Sequence, residues 1–282
     1  MGEDSAKRSG PPIVSVVMPV YNNRRYLPEA IDSVLSQSLG ELELIAIDDA
    51  STDGSWELLQ QYAARDPRVR PFRNEENLRI VGTRNRAFRE ADPGSRYFAV
   101  LDSDDVCHPD RLRLQVAFLD DHPDHAVVGG QTRIIDDQSR VTGQRTYPTD
   151  HAAIAAVITR YNPIAQPTAM IRRSALDEVG VYDEHYLRCQ DYDLWLRMAA
   201  RFKVANLPET TLDYRISETQ GKKQHMRATL QYTIEIQKRW LLHPAFFRPQ
   251  NLAYWGLEHA LLAVPEPIVM RLFKAITYRR GG

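Results

Sequence analysis

The chain has 282 residues, of which 43% are apolar and 26% charged, and its net charge is −1. That length supports one large core or two smaller ones, as expected of a soluble globular protein. The balanced charge excludes bulk attraction to nucleic acid or to an anionic lipid surface. The two cysteines, Cys107 and Cys189, form no CxxC or metal-ligand spacing, which fits a reducing cytosol. The leading MGEDSAKRSGPP lacks the apolar stretch of a signal peptide, and no apolar run approaches the ~18–20 residues of a membrane span. A cytoplasmic protein that does not cross a membrane is expected.

Residues 1–12 read as a disordered lead. Ile13–Asn22 (IVSVVMPVYN) is a β-branched run fit for a buried first strand, and Leu27, Ile31, Val34 and Leu35 then recur at helical spacing. Glu41–Ser51 (ELELIAIDDAS) is a second strand ending in two carboxylates, Asp48 and Asp49; Ser51 or Asp53 can cap the helix that follows. Val69–Arg73 is a third strand and Val81–Ala91 a third helix. Next comes Tyr97–Asp105 (YFAVLDSDD), five uninterrupted apolar or aromatic residues followed at once by Asp102, Ser103, Asp104 and Asp105. This alternation predicts a parallel sheet with right-handed crossovers, its two acidic turns at one edge.

Like charges as close as those of DSDD repel, and no lysine or arginine stands within the run. A hard divalent cation would offset them and could also hold a phosphate, at the strand ends where open α/β sheets bind ligands. The plainer alternative is a solvated turn that caps the helix beginning near Pro109. The chain has neither GxGxxG nor GxxxxGK[ST], so phosphates would have to be held without a glycine cradle.

Beyond Asp121 the alternation weakens. Ala126–Gly130 and QTRIID read as two strands, His151–Arg160 as a helix, and the stretch from Asn162 to Glu184 as a proline-rich loop, a strand and a short helix. Cys189–Phe202 (CQDYDLWLRMAARF) is helical, with Asp191 and Asp193 at its start, where either could serve as a cap. Residues 223–280 are mostly helical. In Ile268–Arg280 an apolar face opposes Arg271 and Lys274, which fits an interfacial helix on a membrane, or packing on the catalytic domain or a second subunit.

Four pieces in order, VSVVMPVYN, IAIDDASTDGS, TRNRAF leading into LDSDD, and VGVYDE followed by QDYDLWLR, together resemble glycosyltransferase family 2 over about residues 13–216. That resemblance implies an α/β protein of GT-A fold, Rossmann-like, its mostly parallel sheet covered by helices on both faces, with a C-terminal helical extension. It divides the chain into a nucleotide-sugar-binding half at 13–120, an acceptor-binding half of the same domain at 121–222, and the extension at 223–282. It implies inverting transfer of a sugar from a nucleotide-diphosphate donor to an acceptor hydroxyl, in cell-surface glycan or polysaccharide assembly. The acceptor would be a glycan or lipid-linked, and the location cytoplasmic or peripheral at the inner face of the plasma membrane, with membrane contact or a homodimer through the C-terminal helices.

Carried over by position, Pro19 and Tyr21 lie near base and ribose, Asp49 accepts from the base, and Arg84 lies near the nucleotide or its phosphates. Asp102 and Asp104 form the DXD pair that binds Mg²⁺ or Mn²⁺, Asp102 also reaching the ribose with Ser103 beside it. Asp191 matches the catalytic base. Two departures stand out: Arg79 follows an asparagine and a leucine where glycine is usual, and Ser217 stands near the place of a metal-binding histidine, with His225 too far along to replace it. QKRW (Gln237–Trp240) is one residue short of the QxxRW of processive synthases. The rival readings are a nucleotide-sugar-binding homologue without turnover and a nucleotidyltransferase; the latter lacks its glycine-rich loop here and leaves Asp191 idle.

Overall fold

A computed structural model describes residues 10–216 and 226–264. The first half alternates as β1 (Val14–Val20), α1 (Leu27–Leu35), β2 (Leu42–Asp48), α2 (Ser55–Arg65), β3 (Val69–Arg73), α3 (Arg79–Glu90) and β4 (Tyr97–Val100). There follow β5 (Val106–Cys107), α4 (Arg111–Asp121), β6 (His125–Ile135), β7 (Val141–Arg145), α5 (His151–Val157), a 3₁₀ turn (Gln166–Thr168), β8 (Met170–Arg172) and α6 (Arg173–Val179). The described chain closes with α7 (Gln190–Ala199), β9 (Lys203–Arg215), α8 (Met226–Trp240) and α9 (Pro249–Leu261).

Among the described residues the strands form one nine-stranded sheet in the order β3-β2-β1-β4-β8-β6-β9-β5, with β7 paired to β6. β1 to β4 are parallel, β8 is antiparallel to β4 and β6, and β6 runs parallel to β9. The period-two alternation of the strands sorts the core into two layers. Val14, Val16, Met18 and Val20 pack with Leu27, Ile31 and Val34 of α1 and Leu112 and Leu119 of α4. Val17, Ile45, Ile47 and Val100 face the other way, toward Phe88 of α3 and Leu194, Trp195 and Met198 of α7. Helices on both faces explain why β1, β2 and β4 are buried along their whole length and read as largely apolar runs, with Ser15 and Glu43 as buried polar exceptions that hydrogen-bond each other at 2.6 Å.

One local expectation changes. The strands read separately at Ala126–Gly130 and QTRIID are one long strand, β6, whose register against β9 shifts around Gly129 and Gln131. Its glycines fit a close approach rather than a strand end: a Cβ would meet Asn206 Oδ1 at 2.2 Å from Gly129 and Thr211 Oγ1 at 2.3 Å from Gly130. Arg79, where glycine is usual, adopts the left-handed φ of +60° that glycine tolerates best. Its N–H donates to Asn77 Oδ1 at 2.9 Å, which helps hold a conformation costing an L-residue about 1–2 kcal/mol.

The apolar face read at Ile268–Arg280, and Ser217 and His225, lie outside the described residues. Among the described residues no helix is long and apolar enough to cross a membrane.

Candidate active site

β1, β2 and β4 are parallel neighbours, so the turns after them share one edge of the sheet. Short polar bridges fasten these turns together. The Asn22 N–H donates to Ser51 Oγ at 2.9 Å and Thr52 N–H returns a bond to Asn22 Oδ1 at 2.8 Å, joining the ends of β1 and β2. Asn23 Nδ2 donates to Ser103 Oγ at 2.8 Å and so ties the same loop to the DSDD turn. Pro19 is buried in β1, and Tyr21, just past the strand, is 54% exposed at this edge. Neither Ser51 nor Asp53 is the N-cap of α2, which is Gly54 in a left-handed conformation without a side-chain cap; Asp53 Oδ1 accepts from the Ser55 N–H at 3.0 Å, and Ser51 serves the β1 loop.

The sequence within each acidic turn holds no cation, but the fold supplies arginines from elsewhere. Asp48 is fully buried and pairs with Arg73 Nε at 3.2 Å. Asp49 Oδ1 accepts from Asn74 Nδ2 at 2.6 Å and from the Leu78 N–H at 2.8 Å, holding the loop that precedes α3. Asp102 pairs with Arg84. Asp105 is buried and accepts from the Arg215 N–H at 2.8 Å, and the Arg215 side chain donates from Nε to the Asp104 carbonyl at 2.8 Å. The DSDD run is therefore a divided structure: Asp105 anchors β9, Asp102 meets an arginine, and Ser103 is held by Asn23. The Asp104 side chain stands partly exposed between them.

Arg84 links the two halves of the site. Its guanidinium is almost wholly buried, bonds Asp102 on one side, and donates from Nη1 to Gln166 Oε1 at 2.6 Å on the other. The charges of both Asp102 and Asp191 favour its cationic form, although burial opposes it. The neighbours of Arg84 in the TRN triplet act structurally. Thr83 Oγ1 accepts from Asn74 Nδ2 at 3.1 Å, and Asn85 exchanges two hydrogen bonds with the Tyr182 backbone, at 2.9 and 3.1 Å. VGVYDE is thereby fastened to α3, and burial pushes the Tyr182 hydroxyl up to about 12.

Asp191 enters from α7. Cys189 precedes it with a left-handed φ of +59°, a conformation costly for a residue with a side chain, and α7 begins at the next residue. Cys189 in turn rests against Thr229 and Thr233 of α8. Asp191 Oδ2 accepts from Asn162 Nδ2 at 2.7 Å. Burial pushes its carboxyl above the usual carboxylate range, against the opposing pulls of Arg84, the Tyr192 N–H and Asn162. Asp193 is different. Fully buried on the far side of the helix turn, it pairs with Arg197 at 2.8 Å and Arg239 at 3.5 Å. Arg197 then donates to the Val179, Gly180 and Val181 carbonyls, so Asp193 braces the VGVYDE loop.

The structure thus gathers Pro19, Tyr21, Asp49, Arg84, Asp102, Ser103 and Asp104 at one sheet edge, and reaches Asp191 through Arg84. Reading the sequence missed Gln166, Asn162 and Asn85. Asn162 and Gln166 are amides in a stretch without periodicity and Asn85 is one inside α3, and the importance of each comes from partners 29 to 97 positions away. A separate open groove of about 820 Å³ lies between α1 and the β5 edge, lined by Glu29, Ser33, His108, Arg133 and Asp213, and contains none of these residues.

Among the described residues no three His, Cys, Asp or Glu side chains converge as a metal-binding group. The DSDD turn offers hard carboxylate oxygens on one partly exposed side chain, Asp104, and a second, Asp102, that meets Arg84. That set does not fit an all-protein cage. It does fit Mg²⁺ or Mn²⁺ bound through one or two carboxylates with substrate phosphates completing the shell.

A model of the family described as glycosyl transferase family 2 matches residues 15–180. The chain belongs to that family. It is 37% identical over 211 residues to the putative glycosyltransferase EpsE of Bacillus subtilis, covering 73% of each chain. It is 30% identical over 219 residues to the O-antigen biosynthesis glycosyltransferase WbnJ of Escherichia coli, covering 75% of this chain and 82% of that one. Among solved structures, S. aureus TarS 1-349 in complex with UDP superposes with a TM-score of 0.63 at 19% identity, over 93% of this chain and 72% of that one. The mannosyltransferase PcManGT from Pyrobaculum calidifontis, in complex with GDP-Man and Mn²⁺, gives 0.59 at 17% identity, over 95% and 81%. The fold of this family 2 glycosyltransferase is accordingly of the GT-A type, as its sequence motifs imply.

Proposed function

We propose that this glycosyltransferase moves a sugar from a nucleoside-diphosphate donor to an acceptor hydroxyl with inversion, in the assembly of a cell-surface glycan or polysaccharide. One observation carries the reading. Asp191, half-buried and bonded to Asn162 at 2.7 Å, has its charge felt by the buried Arg84, which pairs with Asp102. Donor-side and acceptor-side groups are therefore coupled through a single buried guanidinium.

In this reading Pro19, Tyr21 and Asp49 border the nucleoside, and Asp102 and Ser103 border its ribose. Arg84 faces the diphosphate. As the bond from the anomeric carbon to the leaving phosphate oxygen breaks, its electron pair departs with the nucleoside diphosphate, and negative charge grows where Arg84 stands. The acceptor oxygen bonds the anomeric carbon from the opposite face and its proton passes to Asp191. Burial suits Asp191 to this role, because a base of raised proton affinity takes a hydroxyl proton more readily than an ordinary carboxylate. Asp104, with Asp102, would hold Mg²⁺ or Mn²⁺, which supplies Lewis-acid stabilisation of the diphosphate when bound. The relative engaged in O-antigen biosynthesis supports a glycan acceptor, and a site at the inner face of the plasma membrane fits that class of product.

The test is Asp191→Asn, assayed for donor hydrolysis and transfer on a panel of UDP- and GDP-sugars, with nucleotide affinity measured alongside. Asparagine keeps the shape but cannot take the proton, so turnover should fall ~10²–10⁴-fold while nucleotide affinity holds. Full activity in the variant would remove Asp191 from the role.

A further inference from the structure

The segment Tyr161–Gln166, between α5 and β8, carries no signal in the sequence beyond its prolines, yet it supplies the polar side chain bonded to Asp191. We propose that Asn162 is the positioning residue of the base: its amide holds one oxygen of Asp191 as an ionised acceptor and leaves the rest of the carboxylate to the incoming hydroxyl. This rests on the reading of Asp191 as the base.

Three observations support it. First, the orientation of the amide follows from its other contact. Asn162 Oδ1 accepts from the Ile164 N–H two residues on, at 3.2 Å, so the group facing Asp191 Oδ2 at 2.7 Å is the NH₂ donor. Second, the side chain is fixed before any substrate arrives. It closes a local turn on its own backbone, Pro163 limits the chain at the next residue, and Pro163 and Ile164 are both buried. Third, Asn162 bonds Asp191 directly through a neutral side-chain donor, whereas the titratable groups that face Asp191 act on it through charge. These are Arg84 from α3, Tyr182 from the loop before α7, and Cys189 from the turn entering α7. Arg84 is shared with Asp102, so its pull on Asp191 depends on what occupies the donor side. The Asn162 bond lies on the acceptor side and is independent of that sharing.

A carboxylate has about four lone-pair positions. Asn162 takes one and the first turn of α7 contributes N–H donors to others, which leaves capacity for one further donor, the acceptor hydroxyl. An N–H that donates to a carboxylate favours the ionised form. Without it, burial would carry the carboxyl further toward the neutral form, which cannot act as a base.

The decisive variants are Asn162→Asp and Asn162→Ala. Aspartate retains the oxygen that accepts from Ile164 and so preserves the local turn, but sets a second carboxylate against Asp191. Alanine removes both contacts. The protein is labelled at its aspartate carboxyl carbons, the Asp191 resonance is identified by its loss in Asp191→Asn, and its titration is followed with UDP present. The midpoint should rise in Asn162→Ala and rise further in Asn162→Asp, with UDP affinity unchanged and the acid limb of donor hydrolysis moved the same way. An Asp191 midpoint unaltered in both variants overturns the proposal, whatever their activity. If Asp191→Asn is fully active, the base assignment fails instead, and the titration still reports whether Asn162 holds the carboxylate.

Discussion

Arg215 gives the sharpest test of how the DSDD turn is built. Its side chain is 1% exposed. It donates to the Asp104 carbonyl at 2.8 Å, the Asp136 carbonyl at 2.8 Å, Ser139 Oγ at 3.0 Å and Glu29 Oε2 at 2.5 Å. Its guanidinium also lies 4.5 Å from the centre of the Tyr26 ring. Arg215→Met keeps much of the volume and deletes every donor. The Glu29 contact counts for little, because that carboxylate is 43% exposed and rehydrates when released. The Asp136 carbonyl keeps the Ser139 N–H at 3.0 Å and the exposed Ser139 hydroxyl rehydrates, so the Asp104 carbonyl matters most, since a buried acceptor left without a donor costs about 1–3 kcal/mol. Allowing for the lost ring contact, and for relief of the buried charge's own desolvation, the net loss is about 2 kcal/mol. At roughly 2–4 °C per kcal/mol for a chain of this size, melting should fall by about 4–8 °C. Because the orphaned carbonyl belongs to Asp104, UDP affinity measured with Mn²⁺ should fall too, and by more than UDP affinity in chelator. Glu29→Gln is the comparison and should cost under about 1 kcal/mol. A Met variant with unchanged melting and unchanged Mn²⁺-dependent affinity would refute the account of the turn.

Asp193→Asn should lower stability by about 2–3 kcal/mol, because it weakens a fully buried pair that holds Arg197 on the 179–181 carbonyls, with nucleotide affinity intact. Differential scanning calorimetry alongside UDP titration checks this, and equal losses of stability and affinity would contradict it. Glu258 of α9 is pushed up to about 7 by burial, with Gln237 and His259 opposing, from an ordinary 4.5. Its neutral form stabilises the folded state: that contribution is complete below pH 4.5 and lost as pH rises through about 7. Glu258→Gln should therefore flatten the fall in melting temperature across that window and raise it above pH 7, and parallel curves for the two proteins would argue against a buried carboxyl there.

Most of the first half was legible in the sequence because strands buried on both faces leave largely apolar, β-branched runs, and helices between them keep a 3.6-residue period. Val14–Val20, Leu42–Asp48 and Tyr97–Val100 were readable for that reason, and their parallel order followed from the intervening helices. The acidic turns were equally visible, but what neutralises them was not. Arg84 and Arg215 reach Asp102 and the Asp104 carbonyl from 18 and 111 positions away, and no local spacing encodes such a meeting. The same limit separates Asp191 from Asp193. Two residues apart at a helix start, they carry identical chemistry and an identical relation to the helix dipole. A rotation of about 200° between them turns one toward Asn162 and Arg84 and the other into a buried arginine pair. The sequence alone determined that carboxylates would collect at one edge of a parallel sheet. Which of them anchors the fold, and which is left for chemistry, was decided by packing, because burial and distant residues set the partners of each.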